Sequence, residues 1–233
     1  MIFFIDEGIF RHFPSLKIGV LVGEINNVKY GNDHLEKIID DVRTRFFIEK
    51  PQNHPNIKIW HEAFRKLGIF TSEYHTFLES LLERALKGGP FTRVNPLLDL
   101  CNAISLKHLV PIGIHSLDFV NGDITLGFAE GKEKFIPMNF GEEETVEKGE
   151  VIYKDDRDVL TRKWVWKQSN KDKVLNETTH VFISIDVMEG LPDRLCKNVL
   201  QDMEENIIQN GYGRIIHRDI LTTGNHRTEF KFS

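Results

Sequence analysis

The chain of 233 residues is predicted to fold as a single α+β domain with a sizeable antiparallel sheet system. Three observations predict it. After one apolar strand, helical periodicity dominates the first half. From Asn121 onward, two-residue alternation takes over. No internal repeat, low-complexity tract or linker separates the two halves.

Leu16 to Ile25 is nearly continuously apolar and reads as a buried strand. Asp33 with Glu36 resembles a capping box, and Leu35, Ile38, Ile39, Val42 and Phe46 follow at helical spacing. Beyond Pro51 and Pro55, Ile57, Trp60, Phe64 and Leu67 form the stripe of a second helix, ending before Gly68. A third helix, about Ser72 to Lys87, carries Leu78, Leu81, Leu82, Ala85 and Leu86 and stops at Gly88-Gly89. A fourth is announced by Asn95, a cap, and Pro96, which suits the first helical position. The first half is therefore one strand and four helices.

Asn121-Gly122 is a hairpin signal and precedes alternation at Ile124, Leu126 and Phe128. Glu130-Gly131 turns the chain into Lys134 to Met138. The acidic run Glu142 to Glu144, with Glu147, reads as a solvated loop. Strands are expected at Glu150 to Lys154, Val159 to Lys167 and His180 to Met188. In the last of these, Val181, Ile183, Ile185 and Val187 share one face, so Ser184 and Asp186 project together from the other. A helix after Pro192, with Leu195, Val199, Met203 and Ile207, ends at Asn210-Gly211, and Arg214 to Leu221 reads as a final strand.

Hydrophobic content of 40% and charged content of 28% describe a soluble globular protein. No apolar run approaches the ~20 residues of a membrane span, so no membrane partner is expected. The start MIFFIDEGIF contains Asp6 and Glu7, lacks a basic leader and does not read as a signal peptide. Two cysteines, Cys101 and Cys196, make no disulfide framework, and a cytoplasmic location is the expectation. The net charge of −5 argues against indiscriminate nucleic-acid binding, and no DNA partner is expected. Oligomeric state stays open.

GxSxG, P-loop, GxGxxG and HExxH motifs are all missing, and no pair among the ten histidines has metal-site spacing. No metal or cofactor is expected. The candidate site centres on Asn95 to Asp118, where a helix bearing Asp99 and Asn102 precedes a short extended stretch bearing His115 and Asp118. Taken singly, His115 reads as a structural histidine sooner than as a catalyst, and Asn102 as a backbone-bonding amide. With Ser184 and Asp186 they form the polar set expected at one pocket. Arg157 to Lys173 interleaves Arg162, Lys163, Lys167, Lys171 and Lys173 with Trp164 and Trp166. Such a run suits RNA, whose phosphates take cations and whose bases stack on rings. From pattern alone it better suits a half-exposed strand with inward tryptophans and charge cancelled by Asp155, Asp156, Asp158 and Asp172.

The run Asn95 to Asn102 (NPLLDLCN), Pro111, and His115-Ser-Leu-Asp118 resembles the B-three/B-four region of the phenylalanyl-tRNA synthetase beta subunit. Gly149-Glu150 and Ser169 to Thr179 extend the likeness over about Ile57 to Met188. His54 to Trp60 (HPNIKIW) is closer to stand-alone relatives of that region. The resemblance implies a mixed, sandwich-like α+β fold with flanking helices. It divides the chain into a family-like core at about 57–188, an N-terminal strand and helix extension (about 1–55) packed on it, and a C-terminal helix and strand (189–233). It implies hydrolysis of the ester of a mischarged aminoacyl-tRNA, with the tRNA acceptor end as partner and no ligase activity. By it, Asn102 and His115 become catalytic, and Cys101, Ser184, Asp186, Trp166, Lys167 and Gln168 substrate-binding. With a tRNA partner implied, the cation–aromatic run makes Arg162, Lys163, Lys171 and Lys173 the RNA-binding candidates. The chain departs from the family in three places. Two extra residues, around Gly113-Ile114, precede His115; Trp166-Lys167-Gln168 replaces a glycine-rich segment; and Ser184 stands at the pocket glutamate. Tyrosine selectivity is therefore not carried over. A non-catalytic tRNA/RNA-binding module and a small-molecule binder on the same fold are the alternatives.

Overall fold

The computed structural model describes residues 1–26, 34–46, 50–88, 93, 95–138 and 141–232. Two sheets stack face to face, and helices cover the outer face of the smaller one. The larger sheet contains β1 (Ile2–Ile5), β4 (Ile124–Phe128), β7 (Val151–Lys154), β8 (Val159–Arg162), β9 (Lys167–Gln168) and β12 (Arg227–Glu229), in the order β12-β1-β4-β7-β8-β9. The smaller contains β2 (Lys17–Ile25), β3 (Ile112–Ser116), β10 (His180–Val187) and β11 (Gly213–Leu221), in the order β11-β2-β10-β3. All its pairings are antiparallel. In the larger sheet β1 runs parallel to β4. A separate ribbon joins β5 (Lys134–Phe135) to β6 (Glu144–Thr145).

The period-two pattern of β10 is what makes the stack. Val181, Ile183, Ile185 and Val187 pack in one apolar cluster with α5 (Pro96–His108) and α6 (Leu195–Gln209). Phe182 and Met188, on the opposite face, join the cluster between the sheets, with Phe3, Ile5, Leu126, Trp60 and Trp164. Val181, Ile183 and Ile185 are each fully buried, which contributes about 1.5–3 kcal/mol apiece. A third cluster joins α5 to α2 (His34–Arg45) and α4 (Phe77–Lys87), so α5 is covered on two sides. No helix among the described residues is long and apolar enough to cross a membrane.

The helix starts follow from their capping chemistry. Asn95 accepts from the Leu97 N–H at 2.8 Å and Pro96 takes the first helical position. His54 accepts from the Asn56 N–H to begin α3 (Pro55–Lys66). The third predicted helix begins later than Ser72, because Thr76 supplies the cap by accepting from the Glu79 N–H. The predicted capping box at Asp33 and the Gly89 of the Gly88-Gly89 stop lie outside the described residues.

Four expectations are corrected. The first is the N-terminus: β1 was not foreseen, nor was α1 (Glu7–His12), which Asp6 caps by accepting from the Gly8 N–H. The second is the N-terminal segment as an extension packed on a 57–188 core. β1 lies between β12 and β4, and β2 between β11 and β10, so both are interior strands. Third, Val159 to Lys167 is no single strand. Lys163 and Trp164 both adopt left-handed backbone, at φ 44° and 64°, and turn the chain between β8 and β9. Last, Glu144 leaves the solvated acidic run to pair in β6, bonding Arg162 at 2.6 Å and Lys167 at 3.1 Å.

Candidate functional site

Between the sheets and the helices α4 and α5 lies a cavity of about 340 Å³. Phe77, Leu98, Cys101, Ile112, Ile114 and Met138 supply apolar walls, and Asn102, His115, Ser184 and Asp186 supply polar groups. Volume and lining are those of a small-molecule site with a few placed polar groups.

Strand register explains why these residues meet. In the β3–β10 pair, His115 lies opposite Phe182 and Gly113 opposite Ser184. Opposed residues share a face, so Gly113 and His115 project to the side carrying Ser184 and Asp186. Asn102, half-buried on α5, faces the same space.

The floor is a hydrogen-bonded polar set. Asp186, 1% exposed, accepts from the Tyr153 hydroxyl at 2.7 Å and the Trp164 indole N–H at 2.8 Å through one oxygen. Ser184 donates to its other oxygen at 3.1 Å. Burial still lifts the Asp186 carboxyl above its ordinary range, against those three donors and the nearby His115. Burial, followed by the Asp186 charge, lifts the Tyr153 hydroxyl well above its usual value, so Tyr153 remains a donor.

His115, also 1% exposed, bonds through Nδ1 to the Asp172 carboxylate, which is fully buried. The Gln168 amide donates to the same carboxylate oxygen at 3.2 Å and to the Ile114 carbonyl at 2.7 Å. Asp172 Oδ1 is buried and unpartnered. An ionised carboxylate accepts only, so the Nδ1 proton belongs on the ring and Nε2 is left as the basic nitrogen. Nothing described bonds Nε2. A Cβ built on Gly113 would lie 3.4 Å from it and 2.8 Å from Ser184 Oγ.

Cys101 lines the wall, but burial raises its thiol to about 12, so it is a small apolar surface and no nucleophile. Trp166, Lys167 and Gln168 all reach the cavity. Trp166 packs edge-on against Tyr74, and Lys167 lies over the Trp166 ring.

Three of the four cations expected to face RNA are paired with carboxylates. Arg162, 7% exposed, holds Glu150 with two nitrogens at 3.0 and 2.8 Å. Lys163, 5% exposed, pairs with Glu150 and lies over the Tyr74 ring. Lys171 bonds Asp155 at 2.6 Å and Asp158 at 2.5 Å, and Lys173 bonds Asn170 at 3.2 Å. Arg162, Lys163 and Lys171 are held inward by the carboxylates they neutralise, so the inward-facing reading of the Arg157–Lys173 run describes those three better.

Asp172 and Tyr153 were not foreseen as site residues. Asp172 carries no periodic signal, since it lies in a loop and meets His115 across 57 positions. Alternation along β7 could have shown Tyr153 facing inward.

A stacked pair of sheets with a helical layer, enclosing an apolar cavity floored by a His–Asp pair and a bonded carboxylate, defines a pocket-bearing α+β protein. Residues 59–192, more than half of the chain, match the B3/4 domain, and the chain belongs to that family. It is similar to an N-terminal fragment of the phenylalanyl-tRNA synthetase beta subunit from Pyrococcus horikoshii, with 17% identity and a TM-score of 0.46. That similarity covers 91% of this chain and 49% of the fragment, so the chain spans about half the fragment's length. No curated protein matches it.

Proposed function

We propose that the cavity hydrolyses the ester of a mischarged aminoacyl-tRNA in trans, without ligase activity. The observation that carries this reading is the presence of Asn102, Asp186 and a carboxylate-bound His115 in one cavity. An aminoacyl ester is already activated, so a positioned water and a nearby base are worth several orders of magnitude without a nucleophilic side chain. Water attacks the ester carbonyl while His115 Nε2 takes its proton, and Asp172 stabilises the imidazolium that forms. As the tetrahedral intermediate collapses, the ribose hydroxyl leaves and receives that proton. The free amino acid is the other product. Asn102 supplies amide hydrogen bonds to the amino acid or terminal ribose. Asp186 has used three of about four acceptor positions, and the remaining one takes the substrate ammonium. Trp166, Lys167 and Gln168 border the acceptor end.

A panel of correctly and incorrectly charged tRNAs tests the reading. At least one ester is expected to turn over faster with the native protein than with His115→Ala or Asn102→Ala. Equal rates across the whole panel overturn it.

The inward pairing of Arg162, Lys163 and Lys171 favours a second reading, a small-molecule site for an amine-bearing ligand. Thermal stabilisation by free amino acids or their esters, with no RNA binding, would select it.

A further inference from the structure

Away from the cavity, α3 and α4 bring together a second set of donors. Thr76 and Glu79 have the spacing of a capping box, in which the glutamate ordinarily reaches back to the cap's own N–H. Here the Glu79 carboxylate is bonded instead to His61 Nε2 of α3, at 2.8 Å. Glu79 is 1% exposed, and among the described residues no lysine or arginine pairs with it. A carboxylate at that depth, hydrogen-bonded to one neutral-or-charged imidazole, would gain from a cation at its remaining oxygen.

His75, Glu79 and Glu83 recur at four-residue steps, and one ligand atom of each lies within 4.8 Å of the others. The His75 and Glu83 side chains are 38% and 25% exposed. The group is therefore buried at Glu79 and open at its outer side. One imidazole nitrogen with carboxylate oxygens suits zinc and similar first-row divalent ions, whereas magnesium and calcium favour all-oxygen sets. Zinc ligands at about 2.0–2.2 Å require donor atoms roughly 3.3 Å apart. Closing to that spacing would need rotation of the two partly exposed side chains, His75 and Glu83. Lys87, 3.5 Å from Glu83 and 77% exposed, is a weak competitor.

We propose that His75, Glu79 and Glu83 bind a zinc-class divalent cation, with His61 orienting Glu79 from outside the coordination shell and water completing it. Reading the histidines against one another hides this set, because two of its three ligands are carboxylates. A bound ion would pin the first turns of α4, which also lines the cavity through Phe77 and Arg84.

Titration of zinc into the metal-free protein tests the proposal, with cobalt(II) as the spectroscopic probe. About one equivalent per chain is expected to bind, and cobalt is expected to show four-coordinate visible bands. His75→Ala and Glu83→Gln, both at partly exposed positions, are expected to weaken binding at least tenfold without unfolding the chain. Glu79→Gln should do the same, with circular dichroism confirming its fold. His61→Phe is expected to cost about tenfold, the scale of an outer-shell partner. Failure of the native protein to bind zinc saturably overturns the proposal. So does affinity that persists in His75→Ala and Glu83→Gln, which would assign the ion to other histidines. None of these readouts depends on deacylation.

Discussion

Asp172 is the residue on which the chemistry of His115 turns. It is fully buried, bonded to Nδ1 through one oxygen and unpartnered at the other. Asp172→Asn preserves shape but removes the charge that stabilises an imidazolium. If His115 is a general base, the deacylation rate constant should fall by about 10²-fold or more while substrate binding changes little. Single-turnover kinetics would separate the two, and an unchanged rate would leave the pair a structural one. Gly113 supplies a second test at the same scale. A Cβ there would meet Ser184 Oγ at 2.8 Å. Gly113→Val is therefore expected to obstruct the cavity floor and abolish turnover, at an overpacking cost of about 1–3 kcal/mol. Turnover retained at native levels would place the reaction elsewhere. Sequence pattern anticipated the side on which Ser184 and Asp186 project, because alternation along a strand is a local signal. It could not anticipate Asp172, whose role depends on a loop docking where the Ser116 N–H donates to the Asp172 carbonyl at 2.8 Å.

At the scale of an element, the turn between β8 and β9 concentrates both strain and charge. Two successive non-glycine residues in left-handed conformation cost on the order of 1–3 kcal/mol each, and Glu150 is what holds them. It takes two of the three Arg162 bonds and also accepts from the Lys163 N–H at 2.9 Å. Burial alone would raise the Glu150 carboxyl, but Arg162 and Lys163 outweigh it and hold it below the ordinary 4.5. The stability it contributes is therefore fully present above 4.5 and is lost as pH falls through its depressed folded value. Glu150→Gln leaves two buried cations short of a partner and should cost about 3–5 kcal/mol, read as a lower urea midpoint with unchanged slope. It should also flatten the acid limb of the stability profile. A loss below 1 kcal/mol would show that Glu144 alone suffices for Arg162. This turn was illegible in sequence because cations beside tryptophans look the same whether they face solvent or a buried glutamate. Only the register of β7 against β8 decides it.

At the scale of the whole molecule, the question is how RNA would be held by a chain of net charge −5. The sandwich followed only from the family resemblance, whereas the α+β class with its antiparallel sheet was legible because β10 alternates and α5 and α6 keep helical spacing. The interior position of β1 was not, since five apolar residues beside two acids carry no mark of their pairing partners. That topology ties Arg162, Lys163 and Lys171 to Glu150, Asp155 and Asp158 across strands and turns. Arg162 and Lys163 are thereby buried, and Lys171 is committed to two carboxylates. Each phosphate neutralised contributes about 0.7–0.9 to the slope of log affinity against log salt. With these cations engaged internally, uncharged tRNA should bind weakly, with a slope of magnitude below about 3. Recognition would then rest on the aminoacyl end entering the cavity. Charged tRNA should accordingly bind more tightly than uncharged tRNA, and the difference should shrink in Asp186→Asn. Filter binding across a salt series with a non-hydrolysable aminoacyl linkage measures both quantities. A steep slope, with equal affinity for the two tRNAs, would instead assign the protein to backbone-driven RNA binding and leave the cavity without a part in it.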